Sequence, residues 1–277
     1  MRNFFVSMCI FLFTFTLKAQ DNLYAWTPEV IAGFNFSQVS FSNWAKGGDN
    51  SLSWSIIGSG SYNYKSSDWR VTNSLKIAFG RTQIGDEASK QNENEIWIEN
   101  LVARDFGWIF KAALSNTFNT QITTGFDYKS DPAVAVADFF DPAYIYQGIG
   151  LLYDESPVVN TRLDLALREV FTNTYNSVTD DPSTPEIEKF KLDIGLSSTT
   201  NLNWVVDENL VYKSSLFLFS AFNKFDIWDV RWENTISAQV NSWFSTNISV
   251  ILVYDEDQIQ KTQLKQALQI GIVFRLL

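Results

Sequence analysis

Along most of this chain an apolar residue recurs at every second position, with charged and polar residues confined to the positions between. Trp69, Val71, Leu75, Ile77 and Phe79 alternate with Arg70, Thr72, Ser74 and Lys76. Phe110, Leu114, Phe118 and Ile122 oppose Lys111, Ser115, Asn119 and Gln121, and Val159, Leu163, Leu165 and Leu167 oppose Asn160, Arg162, Asp164 and Arg168. Phe190, Leu192, Ile194, Leu196, Leu202 and Trp204 oppose Lys189, Lys191, Asp193, Ser197 and Asn203. Further on, Trp228, Val230, Trp232, Ile236 and Val240 oppose Asp229, Arg231, Glu233, Thr235 and Gln239; the even positions 264, 268, 270, 272, 274 and 276 are all apolar. A period of two is that of a β-strand with one apolar and one wet face.

Twelve such segments are predicted, at 29–40, 51–65, 69–80, 94–104, 108–126, 145–153, 157–171, 187–206, 209–222, 225–240, 243–254 and 261–277. Their connections alternate in length. Short ones fall at 66–68, 105–107, 154–156, 207–208 and 241–242, and long ones at 41–50, 81–93, 127–144, 172–186 and 255–260. That rhythm predicts an all-β, antiparallel transmembrane β-barrel of about 12 strands, with short periplasmic turns and longer extracellular loops. Two places break the pattern. Glu95, Trp97 and Glu99 share one parity against Ile96, Ile98 and Val102, and the connection at Asn223–Lys224 is short where a long loop is expected.

A soluble β-sandwich also shows period-two strands, but its strands run to about five or six residues. The segments here are longer, and a small dry core does not accept so many Arg, Lys, Asp and Glu on the face opposed to solvent. Aromatic residues mark a boundary as well: Tyr64 and Trp69 bracket the first short turn, Trp108, Tyr153 and Trp204 adjoin the next three, and Trp243 adjoins the fifth. Tyr and Trp collect at the membrane–water interface because each ring has an apolar body and a polar edge. Trp243 has the wrong parity for a lipid-facing residue and is assigned to its turn.

The first nineteen residues read as a secretory leader, with Arg2 as the basic start, Phe4 to Leu17 as the apolar stretch and cleavage after Ala19. The expected organisation is therefore a leader at 1–19, a periplasmic segment at 20–28 and the barrel at 29–277. Cys9 leaves with the leader, and the chain has no histidine. A mature chain without Cys or His has no thiolate nucleophile, no histidine base and no zinc site of the usual nitrogen and sulfur type. No enzyme activity, metal or cofactor is expected. Removing Arg2 and Lys18 leaves 19 basic residues against 31 acidic ones, a net of −12, which argues against nucleic acid as a partner. The expected partners are outer-membrane lipid and another envelope protein.

Candidate chemistry lies on the wet face and in the loops. The lumen-lining residues are Arg162, Asp164, Arg168, Lys189, Lys191, Asp193, Asp229, Arg231 and Glu233. Arg162, Arg168, Lys189 and Lys191 are expected to cluster toward the extracellular end and favour anions, since a low-dielectric wall focuses their field. The competing reading pairs these cations across the lumen with Glu95, Glu99, Asp229 and Glu233, closing the barrel by salt bridges. In the first long loop, Asn43, Trp44, Gly47, Gly48, Asp49 and Asn50 supply a tight reversal and an interfacial anchor, with ligand binding as the alternative. Asp127, Asp131, Asp138 and Asp141, and Asp255, Glu256 and Asp257, are read as solvated loops rather than calcium sites, because neither group has EF-hand spacing.

The run Asn35–Leu52, with its Asn43-Trp44-Ala45-Lys46-Gly47-Gly48-Asp49-Asn50 core, resembles the N-terminal signature of an uncharacterised family of Bacteroidota outer-membrane proteins, the domain-of-unknown-function family numbered 3078. Asp138–Tyr144 is similar to that family's central motif, and Asp226–Asp257 to its last hairpins, so the resemblance extends over the mature chain. It implies a barrel and an outer-membrane address but no activity and no functional residue. The expected role is a passive or selective channel for small solutes, or a component of an envelope complex. The alternative is a plugged structural barrel whose extracellular loops bind a protein or glycan.

Overall fold

The computed structural model describes residues 26–42 and 48–276. The leader, its cleavage point, Asn43, Trp44 and Gly47 lie outside them. Fourteen strands follow in order: β1 (Trp26–Val39), β2 (Ser51–Lys65), β3 (Trp69–Ile84), β4 (Lys90–Arg104), β5 (Lys111–Thr120), β6 (Gly125–Asp127), β7 (Val134–Ala137), β8 (Ala143–Tyr153), β9 (Val159–Phe171), β10 (Phe190–Asp207), β11 (Leu210–Ala221), β12 (Asp229–Gln239), β13 (Phe244–Asp255) and β14 (Ile259–Arg275). Twelve of them close into one antiparallel barrel in the order β1, β14, β13, β12, β11, β10, β9, β8, β5, β4, β3, β2, while β6 and β7 pair as a separate hairpin.

Each predicted segment corresponds to one barrel strand, with differences at the ends. β1 begins at Trp26 rather than 29. β3 and β4 run on to Ile84 and from Lys90 across a bulge at Gly80 and Arg81, which shortens the expected 81–93 loop to 85–89. β5 stops at Thr120, and the chain beyond it forms the β6–β7 hairpin. The connection that looked too short at Asn223–Lys224 occupies 222–228, because β11 ends at Ala221 and a 3-10 turn, Phe222–Lys224, precedes β12. The last connection is a three-residue turn, 256–258. Short turns gather at one end of the barrel and four of the six other connections are longer.

The period-two pattern turns this barrel inside out relative to a soluble one. Leu163, Leu165, Ile194, Ile236 and Leu268 stand on the outer face, and Leu268 is 67% exposed; Asp164, Arg162 and Arg168 on the alternate positions are buried inside. An apolar exterior round a polar interior, on strands of 10 to 18 residues in the barrel, is the architecture of a membrane-spanning barrel, in which strand-to-strand pairing satisfies the backbone where water is absent. The ambiguous strand is settled by its neighbours: Ile96 and Ile98 stand opposite Ile77 and Leu75 on the outer face, which turns Glu95, Trp97 and Glu99 inward. Trp69, Trp108, Trp204 and Trp243 are exposed at the short-turn end, and Trp243 lies in the turn before β13.

Two features of the wall matter below. The first and last strands meet over a limited stretch, from Ile31 opposite Arg275 to Phe36 opposite Ile270. β1 pairs with β2 over its whole length, from Trp26 opposite Tyr64 to Val39 opposite Ser51. Hence both ends of β1 extend past its overlap with β14.

Candidate functional site

The interior has two unlike walls. On β1, β2 and β13 serine and asparagine recur at the inward positions, interrupted by Glu29, Ile57, Ile251 and Val253, while β3 adds Thr72, Ser74 and Thr82 beside the charged Arg70 and Lys76. β2 alternates Ser51, Ser53, Ser55, Ser59 and Ser61 inward, facing Thr82, Ser74 and Thr72 across β3 and Asn35 and Ser37 across β1. β13 adds Ser245, Asn247 and Ser249. Hydroxyls and amides bond one another here, as in Ser53 with Thr82 at 2.9 Å and Asn35 with Ser55 at 3.3 Å. Ser55 is fully buried, whereas Ser59, Ser61 and Ser74 stay partly open to water.

The opposite wall, β8 to β12, is crowded. Tyr146, Phe217 and Phe219 point inward with Ala166 and Ala221 and pack edge to face, the Tyr146 ring lying 5.0 Å from Phe217 and 5.7 Å from Phe219. Glycine makes room for the charges. A Cβ at Gly148 or Gly150 would meet Asp164, and at Gly150 also the Leu163 carbonyl. In that space Arg162 donates to Asp164 at 2.6 Å and reaches Thr199 at 3.3 Å and Glu99 at 3.5 Å.

Arg168 is the most heavily engaged cation. Its guanidinium is 4% exposed, lies 4.9 Å above the Phe219 ring, and donates to Asp193, Asp229 and Asp257 at 2.6 Å each. Lys191 meets the same Asp257 at 2.6 Å. Asp257 sits in the turn between β13 and β14, so this turn is folded inward and pinned to β9 and β10. Burial pushes the Asp257 carboxyl up, but the Lys191 hydrogen bond and the Arg168 charge outweigh it and hold the pKa below the ordinary carboxylate range.

Other ion pairs cross the lumen as chords. Arg231 on β12 donates to Glu95 on β4, at the far side of the barrel, at 3.1 Å, and to Glu233 at 2.6 Å, with its guanidinium 5.1 Å from the Trp97 ring. Lys76 on β3 reaches Glu233 at 3.5 Å, and Lys265 on β14 reaches Glu93 at 2.5 Å. Among these chords lies a cavity of about 110 Å³, walled by Glu95, Glu99, Glu233, Arg231, Lys76 and Trp97, with Thr117, Thr199, Ser215 and Phe217 completing it. Toward the short turns, Asp154 binds both Arg70 and Lys111, and Lys111 also reaches Glu155 at 2.9 Å. Burial raises the Asp154 carboxyl, yet these two donors bring its pKa below the usual value.

The structure thus separates the expected cation cluster. Arg162 lies opposite Thr199 and Arg168 opposite Asp193, six residues apart along β9, so they belong to different levels of the lumen. Arg162 stands nearer the short turns, because β9 starts there. Lys189 precedes β10, is exposed, and donates to Asn173 at 3.0 Å. Arg168, Lys191, Asp193 and Asp229 form one network; Arg162 and Asp164 form a second, and Arg231 and Glu233 a third. Of the first-loop residues, Gly48 has φ 127°, Asn50 accepts from the Phe41 amide at 2.6 Å and from the Gly85 amide at 2.7 Å through its carbonyl, and Asp49 lies beside Gly85. Asn50 therefore ties the first long loop to the second. Asp141 is buried and accepts from the Asn173 and Thr174 amides at 2.8 and 2.7 Å, which makes it a loop staple.

A family model described as "Protein of unknown function (DUF3078)" matches residues 36–126, roughly a third of the chain and not the central and C-terminal motifs read as similar to that family. No curated protein matches. Among solved structures, an outer-membrane channel from Pseudomonas putida F1 is 10% identical, with 92% of this chain and 97% of that one covered and a TM-score of 0.41. The NanC porin is 10% identical, with coverage of 90% and 100% and a TM-score of 0.43. The translocator domain of the autotransporter NalP from Neisseria meningitidis is 8% identical, with coverage of 93% and 90% and a TM-score of 0.35. These likenesses are too distant to bear on function, and the fold rests on the strand pairing itself.

Proposed function

We propose that the protein is a narrow outer-membrane channel for small solutes, non-enzymatic, exported by its leader, with its short turns in the periplasm and its longer loops outside. The resemblance of its N-terminal third to an uncharacterised family favours a Bacteroidota source. The observation that carries the reading is the contrast between the walls. Ion-pair chords stop the barrel from being wide open, while the inward serines and asparagines of β1, β2 and β13 are too short to fill the space before them. Water and small solutes have room beside such a wall, where neutral hydroxyls and amides replace hydration without trapping an ion.

The refolded protein in a planar bilayer is expected to give small, resolved current steps. Removing a chord as a pair, Arg231→Ser with Glu95→Ser, leaves no lone charge between those partners and is expected to enlarge the steps. Silence from both proteins, each showing the faster migration of a folded barrel on unboiled gels, would overturn the channel. A structural barrel whose outer loops bind a protein or glycan would then be favoured, a reading supported by Val134, Val136, Phe139 and Ile187, all exposed among the longer loops.

A further inference from the structure

We infer that the lumen selects small monovalent cations, including protonated amines, over anions, and that Glu99 sets this preference; the inference rests on the channel reading above. The sequence pattern pointed the other way, to a basic cluster, and the geometry reverses it. Round the cavity stand three carboxylates, Glu95, Glu99 and Glu233, against two cations, Lys76 and Arg231. Arg231 is shared between Glu95 and Glu233, and Lys76 faces Glu233. Glu99 has Arg162 for a neighbour, but at 3.5 Å, and that guanidinium makes its shorter bond, 2.6 Å, to buried Asp164. Counting Arg162 with Asp164, the cavity keeps one negative charge in excess, and Glu99 is the carboxylate with the weakest claim on a cation.

The level above has the same sign: Arg168 and Lys191 meet Asp193, Asp229 and Asp257, with Asp255 buried at the head of the same turn. Lys213 projects inward closer to the short turns, two positions from Ser215 at the cavity edge, and is exposed, so water screens it more than the groups at the cavity. An ion at the cavity therefore feels Glu99 at close range in a space walled by low-dielectric protein, where a single charge shifts occupancy most. Trp97 and Phe217 supply aromatic faces suited to an alkylammonium.

The test is the reversal potential of the folded protein in an asymmetric KCl gradient. The wild type is expected on the cation side. Glu99→Gln is expected to lower the K⁺ to Cl⁻ permeability ratio by about fivefold, the effect of one near charge in a watery site, and Glu99→Lys to move the protein to the anion side. Glu208→Gln, in a short turn at the barrel rim, is expected to leave the ratio unchanged, which controls for net charge. A wild-type potential at zero or on the anion side overturns the inference. A conducting Glu99→Gln with wild-type preference overturns the assignment to Glu99 while leaving the channel standing, whereas a silent wild type overturns the channel and the inference together.

Discussion

The two interior walls are built from the same period-two alternation, yet they do opposite work. Inward positions of β2 carry serine after serine, and Ser53, Ser55 and Ser61 bond Thr82, Asn35 and Asn63 on the same or the adjoining strand, so this wall is held locally. Inward positions of β9 to β12 carry long charged and aromatic side chains, some of which, Arg162, Arg168 and Arg231, also reach partners strands away, so that wall holds the barrel across its width. Combining the two gives the barrel internal bracing on one side and room on the other. Hydrogen bonds between neighbours fix a strand pair, while ion pairs across the lumen fix the cross-section.

The contrast is broken most decisively by removing the cation at the centre of the crowded wall. Arg168→Ala leaves Asp229 without its cation and Asp193 and Asp257 with Lys191 alone, in a site where the arginine is nearly inaccessible, and loss of one partner from such a buried network costs about 3 to 5 kcal/mol. Ser59→Ala on the open wall is expected to stay within about 0.5 kcal/mol. Denaturant midpoints of the folded band on unboiled gels would decide, and equal shifts would show that the walls do not differ mechanically.

A gentler probe adds the same methyl group to each wall. At Gly150 the new Cβ collides with the Leu163 carbonyl and Asp164, whereas at Gly33 it meets only the Ile57 carbonyl at an ordinary 3.7 Å. Gly150→Ala is expected to cost about 1 to 3 kcal/mol by overpacking, and Gly33→Ala to be close to neutral in the same measurement. Comparable losses would mean that the crowding at β8 and β9 relaxes easily.

The smallest effect separates the walls by pH. Asp257 has a folded pKa below its unfolded one, so its ion pairs with Arg168 and Lys191 add stability that is fully present above the unfolded carboxylate value of about 3.9. That contribution disappears as pH falls from there through the lower folded value. Wild type should therefore exceed Asp257→Asn in stability at neutral pH, and the two should converge in acid. A difference that persists once the pH has fallen through the folded Asp257 value would mean the turn is held by something other than these charges. Asp193, Asp229, Asp255 and Glu256 surround the same turn and are present in both proteins, so the comparison isolates Asp257.

Much of the barrel is legible in the sequence because parity is a local property. Leu163, Leu165 and Leu167 declare the outer face of β9 without reference to any other strand. Parity fails where both faces are apolar: Leu216-Phe217-Leu218-Phe219 gives no preferred side, and the inward Phe217 and Phe219 that fill the lumen went unmarked. A run apolar on both faces was the available signal of a packed interior. Trp97 was similarly hidden between two glutamates. The serine alternation of β2 was visible but looks like ordinary solvent-facing polarity until the opposite wall is known. What no local pattern contains is which charges meet. Arg231 and Glu95 are 136 residues apart, and their encounter depends on the stagger summed over every intervening strand pair. The same sum places Arg162 and Arg168 at different levels although both lie on one face of one strand.

The narrow overlap of β1 and β14 has a consequence for how such a molecule comes into being. Residues 31–36 and 270–275 lie in the first and last strands of the barrel to be synthesised, and theirs is the strand pairing of greatest separation along the chain among the described residues. Until the final strand arrives, the other strands form at most a curled sheet with two raw edges, each an invitation to a foreign strand. The C-terminal residues are thus the fastener of the whole wall, and the chain must be guarded from its neighbours until that single short join is made.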